Sequence, residues 1–322
     1  LDPAAIRKIE DFAPFFDKIL ENEPGITPLL TGGGLIPLFN YDTGYTLDRA
    51  TQSWVLPLYI RVGDPDFKVF DLGQSPESKG RNALMRSWYN KGYLRKDAAS
   101  ITDPASESKT GKYAAWVAGT ITPGGEVVES ARTGIDVIAI PIAPAYTDTT
   151  YVIAAMTAIS RTSKNPERAM MLFDLMYSDK ALYNLVCNGI EGTHYTKIDE
   201  TYIRPIADSG YAPTTDWVFG GQFNAFLKEG MAPDTWTVTD ALNKSAAKSP
   251  LMGFVYNQED VKDKVAQIEA ILQEYAQAMA TGTVDPDVAQ PELDAKLKAA
   301  GLDDVIADVQ AQLDAWRAAN GK

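Results

Sequence analysis

Two kinds of hydrophobic pattern alternate along the chain. In one, apolar residues recur every three or four positions, which is the period of a helix with a single buried stripe. Residues 4–22 carry Ile6, Ile9, Phe12, Phe16 and Ile19 on such a stripe. Residues 260–280 carry Val261, Val265, Ile268, Leu272, Tyr275 and Met279, and residues 302–318 carry Leu302, Val305, Val309, Leu313 and Trp316. In the other pattern, short apolar runs read as strands at residues 26–30, 111–117, 135–142 and 151–159. The run 135–142 predicts a strand covered on both faces, as in a parallel sheet between helices.

Boundary residues sharpen these elements. Ser75-Pro76-Glu77 opens a helix to residue 90, with Gly92 just beyond it. Pro123 or Gly124 opens another to residue 131. Asn165-Pro166-Glu167 starts a helix that ends before the turn Asn188-Gly189-Ile190-Glu191-Gly192. Asn suits the N-cap, Pro the first helical position, and Glu the positive helix end. Residues 285–299 read as a helix stopped by Gly301. Residues 35–74 and 195–250 are irregular, aromatic and punctuated by Pro and Gly. Strand and helix in alternation predict an α/β fold.

Composition narrows the function classes. A chain of 322 residues has material for two domains or lobes. Its 30 Lys and Arg against 43 Asp and Glu leave a net charge of −13. That argues against nucleic acid, which is held by a cationic footprint. No run is long enough to span a bilayer as an apolar helix. The single cysteine, Cys187, excludes an intrachain disulfide and a Cys-rich metal site.

Catalytic signatures do not stand out. His194 is the only histidine, and no Gly-x-Ser-x-Gly elbow is present. The glycines at 32–34 and 220–221 lack the strand-to-helix setting of a nucleotide loop. Thr122-Pro123-Gly124-Gly125-Glu126 precedes a helix but lacks the lysine of a P-loop. Asp64-Pro65-Asp66 could offer oxygens to calcium, without EF-hand spacing to support it. No cofactor and no metal are expected.

One stretch carries a family signature. The apolar run 151–159 crosses into the Ser163-Lys164-Asn165-Pro166-Glu167 helix start, and Gly189-Ile190-Glu191-Gly192-Thr193-His194-Tyr195 follows the helix. This closely resembles the return crossover of family 1 extracellular solute-binding proteins, in particular their lipoprotein branch. Further landmarks fall in family order. They are Ile26-Thr27-Pro28-Leu29, Asn90-Lys91-Gly92-Tyr93-Leu94, Ile138-Ala139-Ile140-Pro141, Ser249-Pro250-Leu251-Met252-Gly253-Phe254 and Ala300-Gly301-Leu302-Asp303.

The resemblance implies a two-lobed, periplasmic-binding-protein-like fold of type II. Residues 1–148 are then the second α/β lobe, 149–250 the crossover and the returning part of the first lobe, and 251–322 helices that pack on the second lobe and the hinge. The opening βαβ unit of such receptors is not visible, so the chain reads as the C-terminal part of a protein longer by about 100–200 residues. The resemblance further implies a receptor that captures a solute between two lobes and delivers it to the membrane subunits of an ABC importer. Such a receptor is a lipid-anchored protein of the bacterial surface or periplasm, a monomer when complete, and not an enzyme.

An oligosaccharide is the solute the residues suggest. Sugars present flat C–H faces and many hydroxyls, which call for aromatic platforms with hydrogen-bonding neighbours. Trp116, Trp217, Phe219, Gln222 and Glu191 lead the candidates, with Tyr41, Trp54 and Tyr256 behind them. Trp116 lies on a strand that in the resembling family carries ligand contacts. Trp88 and Trp316 lie on helical stripes and belong to the core. Glu191 and His194 either touch ligand or brace their turn. A peptide or other solute of the same fold, a glycan-processing enzyme with paired carboxylates, and a helical interaction module are the alternatives.

Overall fold

Proline decides where the first helix begins. The stripe over residues 4–22 is realised as 3-10 turns at Pro3–Ala5 and Ile9–Phe12, and only Ala13–Asn22 is α-helical. Pro14 lacks an N–H and would clash inside a longer helix, but fits the first turn of a shorter one. Ser75 caps Pro76–Lys91 by accepting from Ser78 N at 3.1 Å, and Gly92 closes it at φ 85°. The last three helices, Lys262–Ala280, Pro286–Ala299 and Leu302–Asn320, lie where the apolar period places them.

The computed structural model describes residues 2–31, 46–118, 122–211 and 216–322. Its chain divides into two compact units. Unit 1 comprises Leu1–Thr120, Thr133–Thr150 and Ala246–Lys322; unit 2 comprises Ile121–Arg132 and Tyr151–Ser245.

Unit 1 holds most of the buried core. Thr27–Leu30 pairs in parallel with Tyr113–Trp116. Beneath them Phe16 meets the ring of Trp88 edge-on at 5.4 Å and that of Tyr93 at 5.3 Å. Leu58–Arg61 runs antiparallel between Leu47–Arg49 and Phe70–Asp71. Leu58 and Ile60 from this small sheet share one cluster with Val265, Leu297, Val305 and Leu313 of the three C-terminal helices. Tyr146–Thr147 pairs in parallel with Ala247–Lys248. Trp88 is buried, and Trp316 packs half-buried against Phe254 at 5.6 Å.

Unit 2 is thinner. Tyr202–Pro205 pairs antiparallel with Tyr195–Lys197 and parallel with Leu227–Lys228. Tyr183, Cys187 and Ala225 form its buried cluster, with Phe219 and Trp236 packed on it. Its own helices are Pro166–Ser178, Lys180–Asn188 and Thr235–Ser245, while Glu126–Thr133 and Thr149–Val152 each include residues assigned to both units.

Several sequence expectations need correction. Residues 135–142 and 151–159 form no strand, and Ile138 and Met156 are 63% and 73% exposed. An apolar run becomes a strand only beside a ladder partner, and no described segment pairs with either run. Pro141 removes a donor as well. The helix expected from 165 to the 188–192 turn is two helices. Asp179 adopts an extended backbone and accepts from Leu182 N at 2.9 Å, capping the second. Asn165 stands at the N-cap of the first without a side-chain capping bond. The irregular regions conceal two three-stranded sheets and the Thr235–Ser245 helix.

Candidate functional site

In unit 2 a braced loop presents a tryptophan. The loop 216–226 is tied to two helices by side-chain hydrogen bonds. Tyr183 is fully buried, and its hydroxyl donates to Asp216 O at 2.6 Å. Asn184 Nδ2 donates to Asn224 O, and Asn184 Oδ1 accepts from Phe226 N, both at 2.9 Å. Asn224 Nδ2 reaches Tyr177 O at 2.8 Å. Gly220 stands at φ 115°, and a Cβ there would lie 2.7 Å from Met176 O. Only glycine accepts both the conformation and the approach.

On this loop Trp217 is 55% exposed. Its neighbours among the sequence candidates have other settings. Phe219 packs on the Tyr183 cluster, and Gln222 is half-buried at the start of a 3-10 turn. Phe223 is exposed and meets Trp236 edge-on at 5.8 Å. Behind the loop, Lys228 donates from Nζ to Asn188 Oδ1. Burial pulls its amine below the ordinary lysine range, while the nearby Asp216 and Cys187 oppose that shift. Lys228 and Asn188 were not legible as a pair in the sequence, because the strand that carries Lys228 is only two residues long.

Glu191 sits in the turn before Tyr195, exposed and bridged to Tyr195 through the backbone. His194 braces that turn: its Nδ1 accepts from Ile190 N at 2.8 Å. Gly189 makes room for it, since a Cβ at its φ of 81° would come within 2.4 Å of that nitrogen.

In unit 1 Trp54 is 60% exposed, with the Arg49 guanidinium 4.1 Å from its ring centroid. A cation over one face orients the indole. Arg49 itself lies deep, next to Tyr59, Tyr146 and Asp148. One residue earlier, Asp48 is 2% exposed and accepts from Ser249 Oγ. Burial, aided by the Asp148 charge, pushes the Asp48 carboxyl up to about 6 against the Ser249 hydrogen bond. Trp116 is half-buried against Leu30, Ile101 and Tyr113. Tyr256 packs on the C-terminal core, with its hydroxyl donating to Asp308 at 2.8 Å. Tyr41 lies outside the described residues.

A shallow polar hollow of about 280 Å³ in unit 1 is lined by Arg95, Ser100, Asp103, Glu107 and Thr110, none of them a sequence candidate. Arg95 is already held there by Asp97 and Glu107. Asp64 accepts from Asp66 N and Lys68 N in its own turn. Among the described residues no group of three His, Cys, Asp or Glu could hold a metal, and no helix is long and apolar enough to cross a membrane.

The comparisons with known proteins agree with one another. A family model described as a domain of unknown function (DUF3502) matches residues 250–318. A carbohydrate ABC transporter substrate-binding protein of Streptococcus pneumoniae serotype 4 is 27% identical over 98% of this chain and 63% of its own length. The chain thus spans less than two thirds of that curated relative. The crystal structure of the N-glycan transport solute binding protein NgtS from Streptococcus pneumoniae superposes with a TM-score of 0.82 at 25% identity, covering 98% of this chain and 69% of that one. NgtS is also solved in complex with Man5GlcNAc, with a TM-score of 0.81 at 26% identity over 98% and 69% of the two chains. An extracellular solute-binding protein from Bifidobacterium longum subsp. infantis shares the fold at a TM-score of 0.56 and 17% identity, covering 96% and 70%. The solute-binding-protein resemblance read in the crossover and its landmarks agrees with these likenesses: nearly the whole chain is similar to a carbohydrate ABC transporter substrate-binding protein and has the α/β fold of the two-lobed receptors it superposes on.

Proposed function

We propose that the protein containing this chain is a non-catalytic receptor that captures an oligosaccharide and hands it to the membrane subunits of an ABC importer at the bacterial cell surface. The observation that carries this reading is the likeness of nearly the whole chain to NgtS, a receptor solved with Man5GlcNAc. Oligosaccharides built from mannose and N-acetylglucosamine are accordingly the first class to test. Each compact unit is read as belonging to one lobe. Trp217 and Trp54 are the leading platforms, being exposed and held by their surroundings. Trp116, Glu191 and Gln222 are secondary contacts. Phe219 and Tyr256 support the fold around them. The surface location and the lipid anchor follow from the resemblance alone.

The glycan-processing alternative needs a carboxylate pair that substrate can reach. Asp48 and Asp148 are close enough to interact, but they are 2% and 5% exposed. Adding Man5GlcNAc to the native polypeptide is expected to shift its tryptophan emission. Trp217→Ala removes most of that shift and weakens binding by about 2 kcal/mol, the usual scale for a stacked aromatic in a dry pocket. Full affinity in Trp217→Ala with an unchanged emission shift would reject Trp217 as the platform.

A further inference from the structure

Two passages of the chain between its units are fastened inside unit 1 at one place. The chain leaves unit 1 after Thr150 and re-enters it at Ala246. Next to these points Tyr146–Thr147 and Ala247–Lys248 run side by side, and Ser249 N donates to Thr147 O at 2.9 Å. A ladder of two residues is too short to hold by itself. The turn that follows adds side-chain ties. Thr149 Oγ1 donates to Leu251 O at 3.2 Å and accepts from Gly253 N at 3.0 Å. Gln52 fixes the same turn from the other side, donating to Phe254 O at 3.1 Å and accepting from Tyr256 N at 2.9 Å.

Asp48 stands where both segments meet the small antiparallel sheet. Its carboxylate accepts from Ser249 Oγ, which in turn accepts from Leu251 N at 2.9 Å. It also feels the charge of Asp148, the residue after the 146–147 strand. Asp48, Asp148 and Ser249 are all buried. The charged and titratable groups gathered here are few. Arg49 follows Asp48 on the strand and lies beside Asp148, Tyr59 of the neighbouring strand and Tyr146 of the crossing strand. One guanidinium therefore serves two buried carboxyls. With both ionised, one negative charge is left over in a site shut off from water, and the two carboxylates repel. A proton on Asp48 removes that excess.

We infer that Asp48, with Asp148, Arg49 and Ser249, is a proton-operated latch on both passages: holding a proton, it binds segments 147–150 and 247–253 to the small sheet, and losing the proton to solvent loosens them. Burial raises the Asp48 carboxyl to about 6. The folded value lies above the unfolded one, so the latch is closed in mild acid and opens as pH rises through 6. Asp71 is pushed up to about 6 as well, but the charge it faces is that of Asp294, away from the crossing strands. The only histidine, His194, belongs to unit 2.

Hydrogen–deuterium exchange of the native polypeptide without sugar tests the latch independently of the function proposed above. Rates at pH 5 and pH 7.5 are divided by the intrinsic rate of each amide, with the 302–320 helix of the same unit as reference. Protection at 147–150 and 247–253, relative to that helix, is expected to fall about tenfold or more between the two pH values. Asp48→Asn keeps the shape without the charge and is expected to remove the fall; Asp71→Asn is expected to leave it. Should Asp48→Asn not fold, Asp148→Asn supplies the second reading: one carboxyl per guanidinium remains, and the fall is expected to shrink. Relative protection that does not change with pH in the native polypeptide would overturn the inference. So would a fall that persists in full in Asp48→Asn or Asp148→Asn, or one that Asp71→Asn abolishes.

Discussion

A carboxyl with no route to water is the clearest case where a single residue sets behaviour. Asp48 and Asp71 are both buried, and burial pushes each up to about 6 from the ordinary 3.8. A folded value above the unfolded one means the native state holds the proton more tightly. The stability each contributes is therefore complete below about pH 4 and is lost as pH rises through 6. Surface carboxylates with lowered values, such as Glu77 beside Arg61, act oppositely below pH 4. Resistance to urea should then be greater at pH 5 than at pH 7.5. Asp48→Asn should flatten that difference by on the order of 1–2 kcal/mol, read from urea transitions at the two pH values; an unchanged slope would show that Asp48 does not titrate there. Nothing in the sequence marks Asp48 among 43 acidic residues. Its setting exists only because Leu47–Arg49 pairs in a sheet and Ser249, 201 positions away, closes over it. Trp217 was legible as an exposed loop aromatic, whereas Tyr183, which ties its loop in place, reads in sequence as one more apolar position on a helix.

At the scale of elements, local chemistry was readable and partnership was not. Ser75 with Pro76, Asp285 with Pro286, and the periodic stripes of the last helices act within a turn or two, so their helices stand where expected. The run 135–142 has strand composition but lies beside nothing that completes a ladder. The Leu58–Arg61 strand was hidden because its two partners are short and flank it within an irregular stretch. Close approach between elements is likewise invisible in sequence. Gly282 stands at φ 68°, and a Cβ on it would fall 2.4 Å from the backbone of Met85. Gly321 has φ 64° and nothing within 4 Å of such a Cβ. Gly282→Ala should therefore destabilise by roughly 3 kcal/mol or more, and Gly321→Ala by about 1 kcal/mol. Equal costs in urea unfolding would mean the backbone beside Gly282 yields freely.

For the whole molecule, the core of unit 1 joins sequence from opposite ends. Leu58 and Ile60 pack in one cluster with Leu297, Val305 and Leu313, and the family match at 250–318 covers the helical half of that cluster. Leu58→Ala should cost about 2–5 kcal/mol, since it opens a cavity where nothing is exposed. Exchange protection should fall across 262–320 as well as around residue 58; loss confined to 47–71 would show the two halves unfolding separately. The measurement that bears most directly on the central claim is calorimetric titration of the native polypeptide with Man5GlcNAc. Saturable one-site binding, with the glycan recovered intact and affinity reduced about tenfold or more in Trp217→Ala, is the predicted result. Absence of heat with Man5GlcNAc and with a broad panel of other oligosaccharides, or cleavage of the glycan during the titration, would contradict it.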